Sequence, residues 1–194
     1  MKPRIAILIS GGGSNMISLV NAIKYNKINA LPAIVISNNS NAAGLDKAAE
    51  LKIPTRCIDH RKFSGNREAF EKRLHNLLQD EKIDIICLAG FMRILTKSFI
   101  DQWNNKILNI HPSLLPKYKG LNTHQRAIDA YDKISGCSVH IVTSELDGGL
   151  VLGQRIVDIV STDTAKTLAE KVLIEEHTLY PEILNKFIND RYIK

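Results

Sequence analysis

The 194-residue chain carries 26 Lys and Arg against 20 Asp and Glu, a formal charge of +6, with 44% hydrophobic and 24% charged residues. That composition supports a full core in one domain spanning 1–194 and excludes disordered, collagen-like and coiled-coil classes. Cys57, Cys87 and Cys137 form no CxxC pair and no Cys/His zinc pattern, so buried thiols in a reducing cytosol are expected, without a disulfide framework or a metal.

Short apolar runs alternate with helical patterns along the chain. Arg4–Ile9 reads as a buried strand and Asn15–Asn26 as a helix with Ile17, Val20 and Ile23 on one face. Leu31–Ile36 is a second strand, Ala43–Leu51 a second helix and Thr55–Asp59 a weaker strand. Arg67–Gln79 reads as a helix through Phe70, Leu74 and Leu77/Leu78, and Ile83–Ala89 as another buried strand. This alternation means crossover units and a parallel sheet. After Gly90 the pattern changes. Thr96–Trp103 reads as a short helix capped by Thr96, Ile107–Ile110 as a strand and Thr123–Tyr131 as a helix. Ser138–Val142 and Leu150–Val160, split by Asp147-Gly148-Gly149, read as an antiparallel pair, and Thr164–Asn189 as a helix that Pro181 should kink or break. The expected fold is α/β: an open, mostly parallel twisted sheet flanked by helices, with an antiparallel element in the C-terminal half. The first apolar run ends at Ser10 without a signal-peptide pattern, and Ile83–Leu95 carries Asp84, Gly90 and Arg93. A soluble, cytoplasmic protein with no membrane partner is therefore expected.

Open parallel sheets bind ligands at the carboxyl ends of their strands, which singles out the residues after Ile9, Ala89 and Ile110. Ser10-Gly11-Gly12-Gly13-Ser14-Asn15 follows a buried strand and opens a helix, so its backbone N–H groups suit a single phosphate. Met16 breaks a dinucleotide fingerprint and no Walker lysine follows; the alternative is an unliganded glycine-rich turn. Asn109 and His111 share a strand face, and an amide beside an imidazole suits oxyanion stabilisation and proton transfer, although a structural histidine has the same signature. Asp147 reads either as a turn residue or as a carboxylate that faces His111, favours the imidazolium and raises its pKa. His140 alternates with Val139 and Ile141 and is expected on a wall of the sheet, outside the chemistry; His60 and His75 are expected to be solvated. No histidine pair has metal spacing. Phe91-Met92-Arg93-Ile94-Leu95 reads as a slot for a flat ring or as core. The basic group Lys52, Arg56, His60, Arg61, Lys62 and Arg67 reads as solvated surface or as a field for small anions, and no nucleic-acid recognition pattern is present.

Four runs occur in order: Ile9-Ser10-Gly11-Gly12-Gly13-Ser14-Asn15, Ala89-Gly90-Phe91-Met92-Arg93-Ile94-Leu95, Leu108-Asn109-Ile110-His111-Pro112-Ser113-Leu114-Leu115-Pro116, and Ser138-Val139-His140 with Glu145-Leu146-Asp147-Gly148-Gly149. Together they resemble the phosphoribosylglycinamide formyltransferases, folate-dependent enzymes of purine synthesis, over essentially the whole chain. The resemblance implies a Rossmann-like formyltransferase fold. It implies transfer of a formyl group from 10-formyltetrahydrofolate, as co-substrate and without a metal, to the amine of glycinamide ribonucleotide. It implies Asn109, His111 and Asp147 as the catalytic trio, with Asn109 and protonated His111 stabilising a tetrahedral oxyanion. It places the ribonucleotide on Gly13, Ser14, Asn15, Leu173, Ile174, Glu175 and Glu176. It places the folate on Arg67, Met92, Arg93, Ile94, Leu95, Asn109, Thr143, Ser144, Glu145, Leu146 and Asp147. The implied partners are these two small molecules and no nucleic acid, with a homo-oligomer left open. Gly12, Asn122 and Leu150 depart from residues common in the family without touching the trio. Another formyltransferase or deformylase using the same folate, and a non-catalytic nucleotide-binding module, remain as alternatives.

Overall fold

Strand β1 (Arg4–Ile9) is apolar without interruption because both of its faces are covered. Ile5, Ile7 and Ile9 point into one core, Ala6 and Leu8 into the other, and none is accessible to solvent. Period-two alternation in a sheet covered on both sides yields this continuous run. The computed structural model describes residues 2–192. The other strands are β2 (Leu31–Ser37), β3 (Thr55–Cys57), β4 (Ile85–Leu88), β5 (Ile107–His111), β6 (Ile134–Ile141) and β7 (Val151–Asp158). They form one seven-stranded sheet in the order β3-β2-β1-β4-β5-β6-β7. Pairs from β3 to β5 are parallel, whereas β5–β6 and β6–β7 are antiparallel. The α/β fold with an antiparallel C-terminal element is therefore as the sequence pattern implies.

Helices α1 (Ser14–Lys24), α2 (Ala43–Glu50), α5 (Thr123–Asp129) and α6 (Ala165–Tyr192) serve the first core. Helices α3 (Arg67–Asp80) and α4 (Lys97–Gln102) serve the second through Phe70, Leu74, Leu78, Phe99 and Ile100. Thr96 caps α4 as expected, accepting from the Phe99 N–H. Several details differ from the pattern. The α1 stripe is Met16, Leu19, Val20 and Ile23, with Ile17 only partly buried, because the helix turns its face toward both the sheet and α6. Strand β6 begins four residues before the apolar run, since Ile134 to Cys137 pair with β7 through the backbone while Ile134 stays exposed. Cys57 is exposed rather than buried, because β3 is a sheet edge. Cys87 and Cys137 are buried, and burial pushes both thiols up to about 12. His60 and His75 are partly covered rather than solvated: His60 donates to the Asn38 carbonyl at 2.8 Å and His75 accepts from Trp103 at 3.2 Å.

Pro181 does not break the last helix; α6 runs through it. A proline has no N–H for the carbonyl four residues before it, here that of His177. The Ser18 hydroxyl on α1 donates to that carbonyl at 2.6 Å. The defect in one helix thus becomes an anchor for the other. Ser18→Ala should lower stability by about 1–2 kcal/mol in denaturant unfolding, the cost of a freed acceptor away from water. In a Pro181→Ala background, where the helix supplies its own donor, the same change should cost markedly less; equal costs in both backgrounds would refute the pairing.

Candidate active site

The sheet order reverses between β1 and β4, and open sheets take ligands in the crevice at such a reversal. Ser10 follows β1 and Gly90 follows β4, and the Ser10 N–H donates to the Gly90 carbonyl at 3.0 Å. The glycine-rich loop therefore opens on one side of the crevice and residues 91–95 on the other. Gly13 turns into α1 at φ +72°, a conformation that favours glycine. Among the described residues no side chain caps α1, which leaves the N–H groups of its first turn without intrahelical partners at the crevice end of the helix. Asn15 lies in that turn and is buried. Its Nδ2 donates to Glu176 Oε2 at 2.6 Å, and its Oδ1 has no partner among the described residues. Burial raises the pKa of Glu176, and the bond from Asn15 opposes the rise. Of the four α6 residues in the implied ribonucleotide set, Glu176 reaches the loop, Leu173 is half-buried, Ile174 is exposed and Glu175 is paired with Arg155 at 3.1 Å.

The next strand end holds a denser cluster. Asn109 on β5 sits opposite His140 on β6, and His111 opposite Ser138. His140 donates from Nδ1 to the Ile141 carbonyl at 3.0 Å, which leaves Nε2 to accept from Asn109 Nδ2 at 3.1 Å. Asp147 comes from the turn after β6, at φ +47°. Its carboxylate lies 3.4 Å from His111 Nδ1 and 3.5 Å from His140 Nε2, and accepts from the Gly120 N–H at 2.9 Å. Gly149 fits this turn for a steric reason: a Cβ there would lie 1.8 Å from the Ile141 carbonyl oxygen. His111 is 5% exposed and its Nε2 lies 2.9 Å from the Tyr118 carbonyl, so Nε2 carries the hydrogen. The chain between these contacts includes a cis Leu115–Pro116 bond and is held by Ser138, whose hydroxyl donates to the Ser113 carbonyl at 2.6 Å and accepts from Leu115 N–H at 3.0 Å.

The trio Asn109, His111 and Asp147 is thus brought together, but one expectation is reversed. Burial lowers the pKa of His111 and outweighs the opposing pull of the Tyr118 carbonyl and the Asp147 charge. That shift favours the neutral imidazole of His111, against the expected imidazolium. For Asp147, burial pushes upward, but the neighbouring His140, the hydrogen bond from the Gly120 N–H and the facing His111 bring its carboxyl below the usual range. His140, placed by its alternation on an uninvolved wall, is a member of the cluster. Its role depends on the cross-strand register with Asn109, which no local motif carries.

Met92 and Ile94 expose 64% and 58% of their surface at the crevice rim, Arg93 is half-buried and Leu95 joins the core. Thr143, Ser144, Glu145 and Leu146 are exposed in the turn that leads to Asp147. Arg67 is the exposed first residue of α3, beyond the carboxyl end of β3. Among the described residues, no three His, Cys, Asp or Glu side chains stand where they could hold a metal ion, and no helix is long and apolar enough to cross a membrane.

Residues 3–184 match the Formyl transferase family. The chain is 41% identical over 187 residues to the phosphoribosylglycinamide formyltransferase of Escherichia coli strain K12, covering 96% of this chain and 88% of that protein. It is 45% identical over 183 residues to the trifunctional purine biosynthetic protein adenosine-3 of Bos taurus, of whose length it spans only 18%. The crystal structure of phosphoribosylglycinamide formyltransferase from Brucella melitensis superposes with a TM-score of 0.92 at 46% identity over 96% of both chains. That of glycinamide ribonucleotide transformylase 1 from Symbiobacterium toebii gives 0.95 at 36% identity, over 98% of this chain and 89% of the other. The chain belongs to the formyl transferase family.

Proposed function

We propose that this chain transfers the formyl group of 10-formyltetrahydrofolate to the amine of glycinamide ribonucleotide, acting in the cytoplasm with these small molecules as its partners. The observation that carries the reading is the buried His111 with the Asp147 carboxylate 3.4 Å from its Nδ1, beside Asn109 at a strand end next to the sheet reversal. The ribonucleotide phosphate sits on the uncapped start of α1 at Gly13, Ser14 and Asn15, and Glu176 with its α6 neighbours from Leu173 faces the sugar. The folate lies against Met92–Leu95 and the Thr143–Asp147 turn, with Arg67 offered to its acidic end.

The reaction needs a proton path and a place for negative charge. The amine nitrogen attacks the formyl carbon, a new C–N bond forms and the carbonyl oxygen becomes an oxyanion. Asn109 gives one Nδ2 hydrogen to His140 and keeps the other for that oxyanion. Neutral His111, with Nε2–H held by the Tyr118 carbonyl, takes the amine proton at Nδ1, directly or through water. Asp147 stabilises the imidazolium so formed. As the bond to folate N10 breaks, that proton passes to N10, and the enzyme returns to its starting state without a covalent intermediate.

A steady-state assay with both substrates, following deformylated folate by absorbance, tests the reading. Turnover that requires the ribonucleotide is expected. Folate breakdown without it would mark a deformylase, and ribonucleotide binding without turnover a non-catalytic module.

A further inference from the structure

Residues 91–96 form neither helix nor strand, yet they hold two large apolar side chains, Met92 and Ile94, outward at the crevice. A free loop of this kind gains by folding such side chains inward. Both of its ends are hooked by side chains from elsewhere in the chain. At one end, the Ser10 hydroxyl accepts the Met92 N–H at 2.7 Å and donates to Asn38 Oδ1 at 2.5 Å. Asn38 is 4% exposed, so the hydroxyl is itself held from behind. At the other end, Glu71 on α3 accepts the Thr96 N–H at 2.7 Å and the Thr96 hydroxyl. Glu71 is 4% exposed and lies beside the apolar stripe of Phe70, Leu74 and Leu78. A carboxylate there is costly to bury, and packing alone would accept a leucine. Its two bonds run to the residue where the 91–95 segment ends and α4 begins.

We propose that Ser10 and Glu71 are positioning residues for the folate, which hold Met92–Leu95 in its outward form before the ligand arrives. The inference rests on the reading of Met92–Leu95 as the folate wall. Without the hooks the wall orders only on binding, and the ordering cost moves into the folate affinity. The ribonucleotide, on the other side of the reversal, is spared by changes at Glu71.

Steady-state kinetics on the whole chain separate the possibilities. Glu71→Leu keeps the burial and removes both bonds. It should raise the KM for 10-formyltetrahydrofolate about 10-fold, as expected for one or two lost hydrogen bonds. The KM for the ribonucleotide and kcat should stay within about threefold. Glu71→Gln should restore the folate KM, since its Oε1 still accepts from the Thr96 N–H and its amide can donate to the hydroxyl. Ser10→Ala should raise the folate KM in the same way, and it carries the test if Glu71→Leu does not fold. A well-folded Glu71→Leu or Ser10→Ala protein with an unchanged folate KM overturns the proposal, as does an equal rise in both KM values. Met92→Ala and Ile94→Ala distinguish the two levels of failure. If they raise the folate KM while the hook variants do not, the wall stands and the hooks are only structural. If they too leave it unchanged, the wall reading itself is wrong and the hooks fall with it.

Discussion

His111→Ala should lower kcat by about 10²- to 10⁴-fold, the range for loss of a positioned general acid–base group. The effect should fall on the chemical step. Ribonucleotide affinity depends on the α1 loop and Glu176, which His111 does not touch, so its dissociation constant should hold. The fold should hold as well, because β5 keeps its backbone pairing with β4 and β6. The variant loses a buried side chain and leaves the Tyr118 carbonyl without its 2.9 Å donor, so a stability loss of about 1–3 kcal/mol accompanies it. Circular dichroism with ribonucleotide binding separates that loss from the catalytic one. A folded, ribonucleotide-binding His111→Ala protein with near-normal kcat would remove His111 from the proton path.

The contrast between residues legible in the sequence and those that were not has a physical basis. The glycine-rich loop and the Asn109/His111 pair are local patterns. A strand followed by glycines and a helix, or two polar residues two apart on a strand, carry their geometry within a few positions. His140 is not local. It meets Asn109 because β5 and β6 pair antiparallel in one register, and a slip of one residue would turn it to the other face. The direction of the His111 pKa is not legible in the sequence for a related reason. A facing carboxylate can be guessed from sequence, but the depth of burial cannot, and burial prevails here. Pro181 reads in sequence as a kink or break, yet α6 runs through it, and the Ser18 hydroxyl that satisfies the His177 carbonyl lies on a helix 159 residues away. No local pattern in the sequence marks Glu71, and its burial follows from where Thr96 returns to α3.

Asp147→Asn gives the second large effect, and its pH dependence carries the sign of the mechanism. Asn Oδ1 can still accept from the Gly120 N–H, so the turn should survive. What is lost is the negative charge 3.4 Å from His111 Nδ1. Two unit charges at about 4 Å interact by about 4 kcal/mol in a medium of effective dielectric about 20, and part of that remains after the substitution through the Tyr118 carbonyl. A fall in kcat of about 10²- to 10³-fold is therefore expected. In the parent protein, His111 must be neutral to accept the proton, so kcat/KM should rise with pH with its midpoint below 6.5, the ordinary histidine value from which burial lowers it. Removing the Asp147 charge removes an upward pull, so in Asp147→Asn the acid limb should move to still lower pH. An acid limb that stayed in place or moved upward would show that Asp147 does not act through His111. Stability should follow the same groups. Both His111 and Asp147 have folded pKa values below their ordinary 6.5 and 3.8, so the stability they contribute is present above those values and lost as pH falls through the folded ones. The variant should therefore lose the lower of these two acid transitions in urea titrations and keep the upper, while a protein whose acid sensitivity is unchanged would place the buried negative charge elsewhere.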